Sequence, residues 1–471
     1  MCTGFKKNSK SCSGSSKLIF MEIISKTIEK IKSVDLSKET LGNIKCLECL
    51  NCKKSYSLKE LRDDLGTTIT NVCYKSCLGP LSIKFALEKI KISSEELLKR
   101  PKTFSILNEL LPFESRNTKN DFAFSELRYS KYYSNKTGFQ VYLKLDMNLP
   151  SGSFKDRPVL ASLKRALETG YKRIFVASTG NLAISCLQLG KALGFEVRVY
   201  LSNTLNKNRR EYIEQFADNP NKQIVTVNGS YDDANIIAIQ DSEKQNKKDL
   251  EETGLYKTFV PNYSFRPYYK EGSKTSGYEI ALQLLENKIP EDKNVHIFYP
   301  LGSGALICSA YKGIHELSSL GIFKNKTSFY GIQQESLNPI VQAFKTSRKL
   351  IPQKATTHLI KEIAIGNPGS FSETVNILKE SGGSADDVSD RESLESFIEL
   401  YKNEKLFPQI SGAMTIRGFE KLSLKHNFKA GDIVVINLTG SGKGKVEDDL
   451  LTYSKELGIG KEILEIVKEN K

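Results

Sequence analysis

The sequence predicts an α/β chain built on parallel sheet, and three observations predict it. From Val141 onward, short β-branched or aromatic runs alternate with helical stretches, the pattern of βαβ units. Three of those runs lead at once into glycine- and hydroxyl-rich loops that open helical patterns, at Ala177–Leu182, Pro300–Leu306 and Asn437–Lys443. No apolar run approaches the ~20 residues a membrane helix needs, so no membrane partner is expected.

The 471 residues suffice for two or three domains with sizeable cores. Residues 1–40 read as a polar extension. Its first 34 residues carry seven lysines and two acids but no arginine, which argues for a disordered lead-in over a transit peptide. Residues 41–90 form a cysteine-bearing module, and residues 91–135 read as helical or irregular. The predicted strands are Val141–Leu145, Arg173–Ala177, Glu196–Leu201, Gln223–Val227, Val295–Tyr299, Ser328–Ile332 and Ile433–Leu438. In Val159–Glu168, apolar Val159, Leu160, Leu163 and Leu167 recur at helical spacing. Asn181–Leu193 is apolar nearly all round, which predicts a buried helix. The last 25 residues are charged and helical in pattern.

The formal net charge of +14 is compatible with nucleic acid or with steering of small anions. There is no block of like charges, no RNA-binding signature and no aromatic–basic interleaving, so nucleic acid is not expected; steering of small anions and a simple lysine-rich composition both remain. Nine cysteines without a secretory signal fit cytosolic thiols, and a cytoplasmic location is expected.

The stretch Ser151-Gly-Ser-Phe-Lys-Asp-Arg-Pro-Val159 places Lys155 between a small-residue turn and a helix start. A lysine amine there can condense with an aldehyde cofactor, provided it can lose its proton. In Ala177-Ser-Thr-Gly-Asn-Leu182, Gly180 allows a tight turn, and Ser178, Thr179 and Asn181 bring polar groups to a helix start; simple N-capping would look the same. In Pro300-Leu-Gly-Ser-Gly-Ala-Leu306, glycines let backbone N–H groups converge where the helix dipole favours an anion, although a tight turn also explains them. In Asn437-Leu-Thr-Gly-Ser-Gly-Lys443, the Thr439 hydroxyl ends a strand. Together these supply what pyridoxal phosphate needs. Lys155 takes the aldehyde, the loop Gly302, Ser303, Gly304, Ala305 and Leu306 takes the phosphate, Asn181 takes the ring hydroxyl and Thr439 the ring nitrogen.

These segments resemble the threonine synthases, members of the fold-type II pyridoxal-phosphate enzymes. The resemblance also rests on Gly229–Asn235, Arg266–Thr275, Lys312–Leu317 and Ala364–Pro368. It departs at Pro158 and at Leu306, where many relatives have a side-chain amide. It implies a tryptophan synthase β-like fold with two α/β domains and parallel-rich sheets, the smaller at about 155–270 within a catalytic region 91–471. It implies conversion of O-phosphohomoserine and water to threonine and phosphate, with Lys155 as the base, and a homodimer. A second anion site is then required, and Ser151, Ser153, Ser178, Thr179 and Lys274 are its candidates. Arg157 is either another such residue or an ion-pair partner, and Asp156 is expected to be structural. A sister enzyme acting on another phosphorylated amino acid, a threonine dehydratase, or a non-catalytic binding protein are the competing readings.

Cys49-Leu-Asn-Cys52 and Cys73-Tyr-Lys-Ser-Cys77 offer four thiolates at a spacing that suits structural zinc. Three residues separate the second pair instead of the usual two, and Cys46 is a possible substitute for Cys49. Many threonine synthases resemble the chain here too, beginning with a short cysteine-rich ribbon. Cys2, Cys12, Cys186 and Cys308 are expected to be spectators.

Overall fold

β-branched runs pair into sheets because each buries an apolar face, and the chain sorts them into three. A computed structural model describes residues 43–57, 73, 76–77, 79–113, 118, 120–261, 266–354, 359–426, 428–444, 450, 455 and 457–470. The extension 1–40, with Cys2 and Cys12, lies outside the described residues, as does much of the cysteine module between its two pairs.

β1 (Ile44–Cys49), β2 (Ser55–Tyr56) and β3 (Leu81–Phe85) form a small antiparallel sheet in the order β2-β1-β3. The largest sheet is six-stranded. It takes β4 (Leu127–Tyr129), β5 (Gln140–Lys144), β10 (Val295–Pro300), β11 (Thr327–Gln334), β12 (Ser384–Val388) and β13 (Ile433–Asn437). Their order is β12-β11-β10-β13-β5-β4, and only β4 runs antiparallel to its neighbour. The third sheet holds β6 (Arg173–Ala177), β7 (Glu196–Ser202), β8 (Ile224–Val227) and β9 (Thr258–Phe259), all parallel, in the order β8-β7-β6-β9.

The seven sequence-predicted strands appear as β5, β6, β7, β8, β10, β11 and β13, each within a few residues of its expected ends. β12 is a departure. Its residues, Ser-Ala-Asp-Asp-Val, carry two acids that would discourage a strand, but it is an edge, and Lys345 and Lys425 neutralise Asp386 at 2.6 and 2.5 Å. The helix expected around Val159–Glu168 spans Asp156–Glu168, and the apolar one spans Asn181–Ala192. Among the described residues no helix is long and apolar enough to cross a membrane.

Parallel strands have their carboxyl ends on one edge, and loops there collect ligands. In the six-stranded sheet the neighbours β10, β13 and β5 end in the glycine loop, the Thr439 loop and the segment leading to Lys155. β6 of the four-stranded sheet ends in the Asn181 loop.

Candidate active site

Lys155 immediately precedes the helix Asp156–Glu168, and its loop is bolted down on both sides. Phe154 N–H donates to the Thr439 carbonyl at 2.9 Å, Ser441 N–H donates to the Gly152 carbonyl at 2.8 Å, and Ser153 bridges Gly440. The lysine loop and the Thr439 loop are therefore one backbone unit. Asn181 joins it from the other sheet. Its Nδ2 donates to Gln409 Oε1 at 2.8 Å, and Gln409 N–H donates to the Gly440 carbonyl at 2.7 Å.

Below Lys155 lies a buried ionic cluster. Arg157 is 0 % exposed; its guanidinium donates to Asp146 at 2.6 Å and to both oxygens of Glu279 at 2.6 and 2.8 Å. Lys144 closes the cluster at 2.7 Å from Glu279, and Asn437 donates to Asp146 at 3.0 Å. Burial pushes the Asp146 carboxyl up, but the charges of Arg157 and Lys144 outweigh it and hold it below the ordinary carboxylate range. Arg157 is thus an ion-pair partner, two residues from the reactive amine. Asp156 is also structural: it accepts from Ser151 N–H at 2.7 Å and from the Ser185 hydroxyl at 2.6 Å.

The glycine loop leads into the 15-residue helix Ala305–Ser319, whose first-turn N–H groups have no partners within the helix. Gly304 adopts φ +82°, and a Cβ there would strike the Thr374 hydroxyl, so the loop needs glycine. Leu306 turns its side chain into the core, leaving only its backbone to an anion. Gly302 packs on Ile363 and Ile365, so the Ala364–Pro368 motif backs the loop.

A family described as pyridoxal-phosphate dependent enzyme matches residues 121–440. The chain belongs to the pyridoxal-phosphate dependent enzymes. Within them it is similar to the threonine synthase of Methanosarcina acetivorans, 30% identical over 381 residues that cover 80% of this chain and 86% of that protein. It is 29% identical over 403 residues to the threonine synthase of Methanocaldococcus jannaschii, covering 84% and 91%. Among solved structures, the processed form of threonine deaminase isoform 2 from Solanum lycopersicum shares the fold at TM-score 0.55 and 18% identity, over 71% of this chain and 82% of that one. Maize serine racemase does so at TM-score 0.53 and 14% identity, over 71% and 93%.

The residues present fit the family's cofactor. Asn181 Oδ1 is buried with no hydrogen-bond partner, an orphan that a ring hydroxyl would satisfy. The helix start beyond Gly304 offers N–H groups to a phosphate. Lys155 has its Nζ 4.5 Å from the centroid of the Phe154 ring. Thr439 is nearly buried on the shared backbone unit. Of the candidates for a second anion, Thr179 is partly open, whereas Ser178 is largely buried. Ser151 and Ser153 are buried, their hydroxyls 3.3 Å apart.

Lys274 requires a correction. It is 0 % exposed, its ammonium lies 2.6 Å from Glu271 and 2.9 Å from Glu316, and Phe85 of β3 stacks at 4.1 Å. An ammonium shut in with two carboxylates has no path to a substrate. A burial partner set is not visible in a motif, which is why the sequence misassigned it.

Two contacts had no sequence signal. Gln409 reaches Asn181 across 228 positions. Tyr269, inside the Arg266–Thr275 motif but given no role there, has its hydroxyl 3.1 Å from Lys155 Nζ, which donates to it.

The sulfurs of Cys49, Cys52, Cys73 and Cys77 all lie within 4.8 Å of one another; Cys49–Cys77 is 3.4 Å and Cys52–Cys73 3.5 Å. A zinc tetrahedron with ~2.3 Å bonds has edges of about 3.8 Å, so the donor set fits zinc despite the extra residue in the second pair. Cys46 stands outside the group. Cys49 and Cys73 are buried, and the Tyr56 hydroxyl sits 2.9 Å from the Cys73 sulfur, a partner of the kind that orients a metal ligand. Cys186 and Cys308 are buried, and burial holds both thiols well above the ordinary range, as suits inert spectators.

Proposed function

We propose that the chain converts O-phosphohomoserine and water to threonine and inorganic phosphate. What carries the reading is that the Lys155 loop, hydrogen-bonded to the Thr439 loop, the orphan amide oxygen of Asn181 and the glycine loop all lie beyond the carboxyl ends of parallel strands, in a chain whose curated relatives are threonine synthases. Pyridoxal phosphate, when bound, supplies an electron sink for charge developing next to the substrate α-carbon. Lys155 anchors the aldehyde carbon. The Lys155 amine, when not joined to the cofactor, would remove the substrate's α-proton and carry protons to and from its β- and γ-carbons, so that phosphate could leave the γ-carbon and water could add at the β-carbon. A positioned base of this kind contributes ~10²–10⁴-fold. Asn181 would hold the ring by its hydroxyl, Thr439 would meet the ring nitrogen, and residues 302–306 would hold the cofactor's phosphate through backbone N–H groups. Ser178 and Thr179 line the mouth on the substrate side.

We take the four-stranded unit as the smaller domain and the cysteine sheet as a ribbon closed by a structural zinc. The enzyme works in the cytoplasm as a homodimer; free thiols support the compartment, and light scattering tests the assembly.

The deciding experiment is a substrate panel on purified enzyme. O-phosphohomoserine should give equimolar phosphate and threonine by mass, and phosphoserine with sulfite should give nothing. Lys155→Ala should abolish both the yellow absorbance and turnover. Phosphate release from phosphoserine but not from O-phosphohomoserine would move the reading to a sister enzyme.

A further inference from the structure

The substrate proposed above carries a second anion, and with Lys274 enclosed between Glu271 and Glu316 the cation for it must come from elsewhere. Among the described residues, the Arg209 guanidinium has no hydrogen-bond or ion-pair partner. It lies on the helix Lys207–Glu214, its Nε is cut off from solvent, and no described residue accepts a hydrogen bond from it. Its neighbours are engaged: Arg210 holds Glu214 at 2.8 Å and Thr226 at 2.7 Å, and Lys207 lies 3.7 Å from Glu211.

The position of Arg209 is defined by two glycines. A Cβ on Gly180, in the Asn181 loop, would sit 3.4 Å from Arg209 Nη2. Three residues further, on the same face of the helix, the Tyr212 ring packs onto Gly444, just beyond the Thr439 loop, so closely that a Cβ there would overlap it. One helix face therefore reaches from the loop of the four-stranded sheet to the end of the six-stranded sheet's Thr439 loop, which is itself hydrogen-bonded to the Lys155 loop. Arg209 is therefore seated against Gly180, which lies between the partly open Thr179 and Asn181 in the sequence.

The geometry points to Arg209 as the residue that receives the phosphate monoester of the substrate, with Thr179 beside it. This rests on the reading that the substrate is a phosphorylated amino acid. A guanidinium fork matches phosphate oxygens in pairs, and a buried unpaired N–H is costly until it is used. The amino-acid end of the substrate has to reach Lys155, which leaves the far end, the phosphate, for the opposite wall.

The test compares wild type, Arg209→Gln and Arg209→Lys as holoenzymes, in which the glycine loop is already filled. Inorganic phosphate and L-threonine are titrated separately by calorimetry. Phosphate affinity should fall about 10–100-fold in Arg209→Gln and less in Arg209→Lys, which keeps charge but loses the fork, while threonine affinity stays within about twofold. Unchanged phosphate affinity in both variants would overturn the assignment. Loss of threonine affinity with phosphate retained would assign Arg209 to the carboxylate and overturn it equally. Should Arg209→Gln fail to fold, Arg209→Lys decides alone, a drop of about threefold or more supporting the assignment. A wild type that binds phosphate through Arg209 but leaves O-phosphohomoserine intact would keep this site and sink the proposed reaction.

Discussion

Replacing Arg157 by Met leaves the volume of the side chain and removes its charge from a sealed cluster. The wild-type cluster balances two cations, Lys144 and Arg157, against two carboxylates, Asp146 and Glu279. Met leaves one carboxylate uncompensated and strips Asp146 of its 2.6 Å donor. Breaking a buried pair from one side costs ~3–5 kcal/mol, and that is the expected loss at pH 8. In wild type the Asp146 carboxyl is held below its unfolded value, so its contribution is present at neutral pH and disappears only as pH falls through the depressed value. In Arg157→Met burial is opposed by a single cation, Lys144, and by the hydrogen bonds of Ser125 and Asn437, and a carboxyl of the cluster rises above its unfolded value. A raised group favours the folded state as pH drops, so the deficit should shrink between pH 8 and pH 5, by up to about 1.4 kcal/mol per pH unit once the folded state holds the extra proton. Urea unfolding at the two pH values measures it. A deficit under about 1 kcal/mol, or one that does not narrow toward pH 5, would refute the account of the cluster as a charge-balanced anchor for the Lys155 loop.

Tyr269→Phe keeps the ring beside Lys155 and removes the oxygen that accepts its hydrogen bond. Steady-state kinetics should show kcat reduced about tenfold with KM nearly unchanged, the value of one orienting hydrogen bond; a change confined to KM would place Tyr269 on the substrate and not on the lysine. Cys73→Ser should lower the zinc content of purified protein from one per chain toward zero, read by metal analysis, and chelator treatment of wild type should lower its melting temperature while leaving the yellow absorbance in place. Full metal content in the variant would reject the four-thiolate site.

How much of this was legible in the sequence depended on whether a residue's role is local. Strands such as Val295–Pro300 and Ile433–Asn437 are buried throughout and rich in β-branched side chains, so their composition declares them. Asn181, Gly304 and Thr439 stand in loops right after parallel strands, and Lys155 follows β5 a little further on, so the parallel topology brings them to the carboxyl ends of the two sheets. β12 was hidden because its acids are matched by lysines 41 and 39 positions away. Gln409 and Tyr269 matter through what they touch, Asn181 and the Lys155 amine, and nothing in their own neighbourhood of sequence announces it.

The motifs most specific to the family separate in the same way. Lys312, in Lys312–Leu317, is bound to Glu271 and donates to the Ile83 carbonyl of β3; Lys274 lies between Glu271 and Glu316, over Phe85. These residues weld the cysteine ribbon to the helices Arg266–Ser273 and Ala305–Ser319, the second of which begins at the glycine loop. Helix Arg266–Ser273 carries Tyr269 to Lys155, and its Lys270 reaches Glu373 at 2.5 Å on the helix whose Thr374 abuts Gly304. The ribbon is therefore fastened to the helix that presents Tyr269 to the lysine and to the helix that begins at the anion loop. A module far from the reacting atoms thereby contributes to their placement, because the buried charges that secure it belong to the same helices that set the lysine and the loop.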